Sequence, residues 1–232
     1  MAVMTRIKIC GITSREEVRL CAAAGAHALG FVVEYPTAVP WNLTRLTARE
    51  LMRSVPPFVS RVIVVGDDPA DVLSITKFLK PHAVQLHGNE PVKVTAALVS
   101  AIHKLGAQVI KPLRFSVETG KCRSECADPV DAAKIIAATG VDALVLDSAS
   151  EKRPAGTGRS IDWTLARKIR DSLQLPVILA GGLTPDNVNK AVAVVEPYGV
   201  DVISGVENKE WKKDPVKVRK FISAASNALH DR

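Results

Sequence analysis

Two residue types that can move protons close apolar runs in this 232-residue chain. Cys10 ends Arg6-Ile7-Lys8-Ile9-Cys10, and Asp147 ends Ala143-Leu144-Val145-Leu146-Asp147. A thiolate takes a proton, and a carboxylic acid kept protonated by desolvation gives one. The two across one pocket would form a base–acid pair. Lys8 stands two residues before Cys10, so it leaves an extended strand on the same side, where its charge would lower the thiol pKa. Each also has a plainer use. A strand cysteine is commonly a small buried hydrophobe, and Asp147 equally suits a turn or a cap.

Glycines close other runs. Gly181-Gly182 follow Val177-Ile178-Leu179-Ala180, and Ser204-Gly205 follow Asp201-Val202-Ile203. Glycine lets a backbone approach an anion closely, and a following helix start offers unpaired N–H groups. Either pair alone reads as a tight turn. Together with Gly156-Thr157-Gly158 they favour a phosphate-binding site built from Gly156, Gly158, Gly181, Gly182, Ser204 and Gly205. His87, closing Gln85-Leu86-His87-Gly88-Asn89-Glu90, is a further candidate for substrate contact, as is Lys8.

Elements must place these residues at one end of the fold. Eight apolar runs recur, at 6–10, 28–33, 61–65, 83–87, 108–112, 143–147, 176–180 and 201–204; with the fifth taken to end at 111, the ends are 22 to 36 residues apart. That spacing accommodates a strand, a helix and two turns. Near-continuous apolar runs suit parallel strands covered on both faces. Ser14 with Glu17 and Thr47 with Glu50 have capping-box spacing. Asp68-Pro69, Asp128-Pro129 and Thr184-Pro185 place an N-cap before a first-turn proline. Gly25 and Gly140 follow Ala-rich segments, as helix-ending glycines do. The pattern predicts one α/β domain over residues 1–232, a single (β/α)8 barrel whose strand ends carry the site. Phosphate in such barrels is commonly held after the last two strands. An open doubly wound sheet shares the same pattern.

Composition narrows the function class. The net charge is +7, but only 4% of residues are aromatic, too few for base-stacking surfaces. The densest basic stretch, Lys209 to Lys220, is broken by Glu210 and Asp214, so no nucleic-acid partner is expected. The excess positive charge would steer an anionic small molecule. No run is long and apolar enough to span a membrane. The opening MAVMTRIKIC lacks a signal-peptide layout, and four cysteines at 10, 21, 122 and 126 form no framework, which predicts reduced thiols and a cytoplasmic protein. Cys122 and Cys126 lack a second ligand pair, so no metal is expected.

As a set, these residues resemble phosphoribosylanthranilate isomerase. The likeness runs through Lys8-Ile9-Cys10-Gly11-Ile12-Thr13, Ala28-Leu29-Gly30-Phe31-Val32, Val84-Gln85-Leu86-His87-Gly88, Leu144-Val145-Leu146-Asp147, Gly156-Thr157-Gly158 with Asp162-Trp163, Leu179-Ala180-Gly181-Gly182-Leu183 and Asp201-Val202-Ile203-Ser204-Gly205-Val206-Glu207. The resemblance implies a (β/α)8 barrel of tryptophan biosynthesis that needs no cofactor and rearranges a phosphorylated sugar-amine. It implies Asp147 as the acid that protonates the ribose ring oxygen and Cys10 as the base that removes the C2 proton. Three stretches depart from the family. Where it usually carries an arginine that contacts anthranilate, this chain reads Glu34-Tyr35-Pro36-Thr37-Ala38-Val39-Pro40-Trp41-Asn42, with Pro40 near the matching place and Arg45 later. Val65-Gly66-Asp67-Asp68 lacks a common asparagine, and the loop after the fifth run is long. Two other readings stand beside the isomerase: the same chemistry on a different aminoaldose phosphate, and a non-catalytic phosphate-binding barrel with a regulatory role.

Overall fold

Apolar runs that bury both faces become the staves of a barrel. A computed structural model describes residues 4–119, 121–122, 124, 126–149 and 160–228. Its strands are β1 (Arg6–Ile9), β2 (Ala28–Val33), β3 (Asn42–Leu43), β4 (Ser60–Val65), β5 (Ala83–Leu86), β6 (Gln108–Ser116), β7 (Ala143–Ala149), β8 (Val177–Leu179) and β9 (Gly199–Val202). All pair in parallel, in the order β1-β9-β8-β7-β6-β5-β4-β2, and β1 pairs β2 to close the ring. The two-residue β3 lies outside the ring, against the end of β2. The open-sheet alternative is excluded: the fold is a closed (β/α)8 barrel. Among the described residues, no helix is long and apolar enough to cross a membrane.

Helices α1 (Arg15–Ala23), α2 (Arg45–Arg53), α3 (Pro69–Leu79), α4 (Val92–Lys104), α5 (Pro129–Ala137), α6 (Trp163–Asp171), α7 (Val188–Val195) and α8 (Pro215–Asn227) cover the outside. Their starts follow side-chain chemistry. Ser14, Asp68 and Asp128 accept first-turn N–H groups, with proline following each aspartate. Gly25 and Gly140 have φ of 102° and 87°, the left-handed region in which glycine ends helices at little cost. Two expected caps are displaced. Thr44, not Thr47, caps α2, and its hydroxyl accepts the Thr47 N–H. Thr184-Pro185 opens a turn, and α7 begins only after Asn187.

Strand ends also differ from the runs. β6 and β7 continue to Ser116 and Ala149, so Asp147 lies within a strand, in register with Arg114. The last strand is Gly199–Val202, two residues before the expected start, and Ser204 enters a short 3-10 turn, Ser204–Val206. Its strand begins at Gly199 because Gly199 pairs with Arg6 at the foot of β1.

Inside the ring, residues stack in layers. Val62, Ala83, Ile110, Ala143 and Val145 fill the lower part. Above them Lys8 and Gln85 are buried. At the top, Cys10, Val32, Trp41 and Val64 form a separate apolar cluster at the carboxyl ends of the strands. The larger apolar core lies between strands and helices. Its burial supplies most of the stability, which leaves the top of the ring free for chemistry.

Candidate active site

At the carboxyl end of the barrel is a cleft of ≈ 730 Å³, counting its open mouth. Cys10, His87, Asp147, Gly181, Gly182, Ser204 and Gly205, all singled out in the sequence, line it together. Their strands run parallel, so every carboxyl end emerges on the same face. Gly156 and Gly158 lie outside the described residues. Among the described residues, no arginine or lysine lines the cleft.

The glycine loops meet on one side. Gly181 and Gly182 have φ of 78° and 63°, where a side chain is strained. The Asn187 amide donates to the Gly182 carbonyl at 2.9 Å and accepts the Thr184 N–H at 2.8 Å, which fixes the turn. Among the described residues, the Gly181 and Gly182 N–H groups meet no hydrogen-bond acceptor. A Cβ on Gly205 would collide with the Leu183 carbonyl oxygen, so glycine is what lets the two loops approach. Paired backbone donors of this kind form a cradle for an anion.

The proton-handling groups lie beside that cradle. Asp147 accepts the Ser148 N–H at 2.8 Å. Burial, then the neighbouring Asp201 charge, raises its pKa to about 7, against weaker lowering by that N–H, Arg114 and Lys8. Cys10 is 7% exposed and packs against Gly30, where an added Cβ would lie 2.6 Å from its Sγ. Lys8 differs from expectation. It does not line the cleft but lies below it, with Nζ 2.6 Å from Asp201 Oδ2. Burial lowers the Lys8 pKa, but Asp201 and Cys10 together outweigh it and hold the ammonium charged. The expected activation of Cys10 by Lys8 is likewise outweighed. Burial raises the thiol pKa more than Lys8 lowers it, and Asp201 adds to the rise.

An apolar wall of Val32, Tyr35, Val39, Trp41 and Val64 lines the same cleft. The segment after β2 is folded back on itself to make it. The Asn42 amide accepts the Tyr35 N–H at 2.9 Å and donates to the Tyr35 carbonyl at 2.8 Å. Arg45 does not reach the cleft: its guanidinium is committed to Glu34 at 2.7–3.1 Å and to Ser74. Trp41 Nε1 donates to Glu207 Oε1 at 2.7 Å, and Glu207 also pairs with buried Lys213. Cys122 and Cys126 are partly buried free thiols remote from these residues in the chain.

Sequence reasoning missed three contributors. Asp201 is opposite Lys8 in the β1–β9 register, and opposite charges in two apolar runs were the available signal. Arg114 follows the fifth run and donates to the His87 and Gly88 carbonyls, which shapes the loop after β5. Glu207 was quoted in a motif, but its indole and ammonium partners come from distant segments that spacing does not connect.

Known proteins carry the same arrangement of chain and barrel. Residues 7–224 match the family described as N-(5'phosphoribosyl)anthranilate (PRA) isomerase. An N-(5'-phosphoribosyl)anthranilate isomerase of Haloferax volcanii is 37% identical over 97% of this chain and 95% of its own length. One from Methanocella arvoryzae is 40% identical over 94% and 97%. The crystal structure of the phosphoribosyl anthranilate isomerase from Thermotoga maritima superposes with a TM-score of 0.78 at 34% identity, covering 96% of this chain and 98% of that one. A structure of phosphoribosyl anthranilate isomerase in complex with reduced 1-(o-carboxyphenylamino)-1-deoxyribulose 5-phosphate matches at 0.75 and 33%, with the same coverage. With the closed barrel and the family match extending nearly from end to end, the chain belongs to the N-(5'-phosphoribosyl)anthranilate isomerase family.

Proposed function

We propose that this chain, a single domain over residues 1–232 acting in the cytoplasm, converts N-(5'-phosphoribosyl)anthranilate to 1-(o-carboxyphenylamino)-1-deoxyribulose 5-phosphate through Cys10 and Asp147. The observation that carries the assignment of roles is their convergence on one cleft with the two glycine loops. The substrate phosphate docks on the Gly181-Gly182 and Ser204-Gly205 backbone, with Gly156 and Gly158 contributing from the preceding loop. That remote binding holds the sugar between acid and base. His87 contacts the sugar from the end of β5, and Lys8 acts from below through Asp201 rather than by touching substrate.

Asp147 gives its proton to the ribose ring oxygen as the C1–O bond breaks and the nitrogen lone pair forms the C1=N bond. The resulting cationic Schiff base acidifies the C2 proton and favours the thiolate beside it. Cys10 takes that proton, and the C2–H electrons form the C1=C2 bond of an enolamine while the nitrogen regains its lone pair. Tautomerisation moves a proton onto C1 and releases one from the C2 hydroxyl, giving the ketone. No external redox partner enters, because C1 is reduced as C2 is oxidised.

The pKa order makes a test. Asp147 titrates at about 7, and Cys10 lies above its ordinary 9.0. The reactive form carries one proton on the pair, on Asp147. That form has the same charge as the more abundant one with the proton on Cys10, so their ratio is independent of pH. The singly protonated pair dominates between about pH 7 and the thiol pKa. Purified protein given the anthranilate adduct should therefore show kcat/KM rising with pH through about 7, level, and falling only above 9, followed by loss of adduct fluorescence. No turnover at any pH rejects the isomerase. A profile that falls through 7 rejects this ordering of the pair.

A further inference from the structure

Two carboxyl groups line the cleft among the described residues, Asp147 and Asp201, and the second has an oxygen to spare. Asp201 is 7% exposed. The Lys8 ammonium donates to its Oδ2 at 2.6 Å. Its Oδ1 is buried and, among the described residues, has no hydrogen-bond partner. A buried carboxylate oxygen left without a donor is costly, so an orphaned acceptor at a cleft calls for a donor to complete it. Strand register explains the placement. Asp201 is opposite Lys8 on β1. Cys10 and Ile203 stand two residues further along the same strand faces, and both line the cleft. Asp201 therefore lies one layer below the thiol, and its charge reaches both Cys10 and Asp147, raising the pKa of each. Ser204 and Gly205 follow at the exit of β9, so one short segment carries this oxygen and half of the phosphate cradle.

The last step of the rearrangement has a matching need. The enolamine must lose the proton of its C2 hydroxyl, and Asp147, having given its proton to the ring oxygen, must recover one before the next turnover. We propose that Asp201 is a third catalytic residue, whose Oδ1 accepts a hydrogen bond from the C2 hydroxyl of the sugar and takes that proton as the ketone forms. The O–H electrons become the second bond of C2=O. The C1=C2 electrons take up the proton that Cys10 carries, which makes the new C1–H bond and restores the thiolate. Asp201 then passes its proton to the Asp147 carboxylate, so all three groups return to their starting states. The inference rests on the isomerase reading above and adds to it the group that closes the proton cycle.

Two probes read the contact: the reduced product analogue, which keeps the C2 hydroxyl, and its 2-deoxy counterpart. Calorimetry on the wild type should show the hydroxylated probe bound about tenfold or more tighter, as a charge-assisted hydrogen bond gives. Lys8→Met/Asp201→Leu removes the ion pair as a unit, so neither charge is left buried alone. It should bind the two probes alike while still binding inorganic phosphate. Asp201→Asn keeps the shape of the side chain and guards against a folding defect in the double variant. Its amide accepts no proton, so kcat should fall by about tenfold or more with the affinity for inorganic phosphate retained. Equal binding of the two probes by the wild type overturns the proposal, since nothing then reads the hydroxyl. So does a double variant that keeps the full preference, or an Asp201→Asn protein with wild-type kcat. Folded wild-type protein that binds neither probe rejects the isomerase reading itself, and this inference with it.

Discussion

Asp147→Asn is expected to lower kcat by about 10²-fold or more and, above pH 7, to make the protein more stable. The first effect follows from removing a positioned acid whose usual contribution is about 10²–10⁴. The second comes from linkage. Asp147 has its pKa raised from 3.8 unfolded to about 7 folded, so the native state binds its proton more tightly. The stability this lends is complete below about pH 4 and is lost as pH rises through about 7. An amide is neutral throughout and escapes that loss, a gain on the order of 2–4 kcal/mol at pH 8 that disappears toward pH 4. Urea unfolding of both proteins at the two pH values checks this. Equal stability at pH 8 would mean that burial and Asp201 do not raise the carboxyl pKa in the folded state.

Gly205→Ala should act on the other half of the site. Its Cβ would meet the Leu183 backbone oxygen, which cannot swing aside as a side chain would, so the loops after β8 and β9 must separate. Backbone donors moved by even about 1 Å lose their alignment on a phosphate, and misplacement of that size costs about 10²-fold. The loss should fall mainly on KM and on the affinity for inorganic phosphate, with kcat at saturation less affected. Steady-state kinetics with phosphate competition measure both. An unchanged KM would place the phosphate elsewhere. Gly182→Val, at φ 63°, should raise KM in the same direction.

Much of this arrangement was legible in the residues. Eight apolar runs at βα spacing gave the barrel, because parallel strands buried on both faces leave no room for alternation. Cys10, Asp147 and the two glycine loops could be placed on one face, since closure sends all strand ends the same way. Local reasoning failed where long-range pairing overrode it. β7 extends past Asp147 because β6 supplies partners as far as Ser116, although the apolar runs themselves stop at 112 and 147. The last strand, β9, is set by pairing with β1 rather than by its own apolar residues. Lys8 was expected at the substrate, but a partner in register, Asp201, holds it below. The Trp41–Glu207–Lys213 assembly joins segments more than 160 positions apart, a contact that no local spacing encodes.

The base is the central claim, and Cys10→Ser tests it most directly. Serine keeps the size and hydrogen-bonding ability of the side chain but is far too weak an acid to supply the anion at neutral pH. The variant and the wild type should be compared for turnover of the anthranilate adduct and for binding of the reduced product analogue. The expected result is a kcat lower by about 10²-fold or more with analogue affinity retained. A Cys10→Ser protein that turns over at the wild-type rate would show that the thiol is a packing residue and that another group removes the C2 proton.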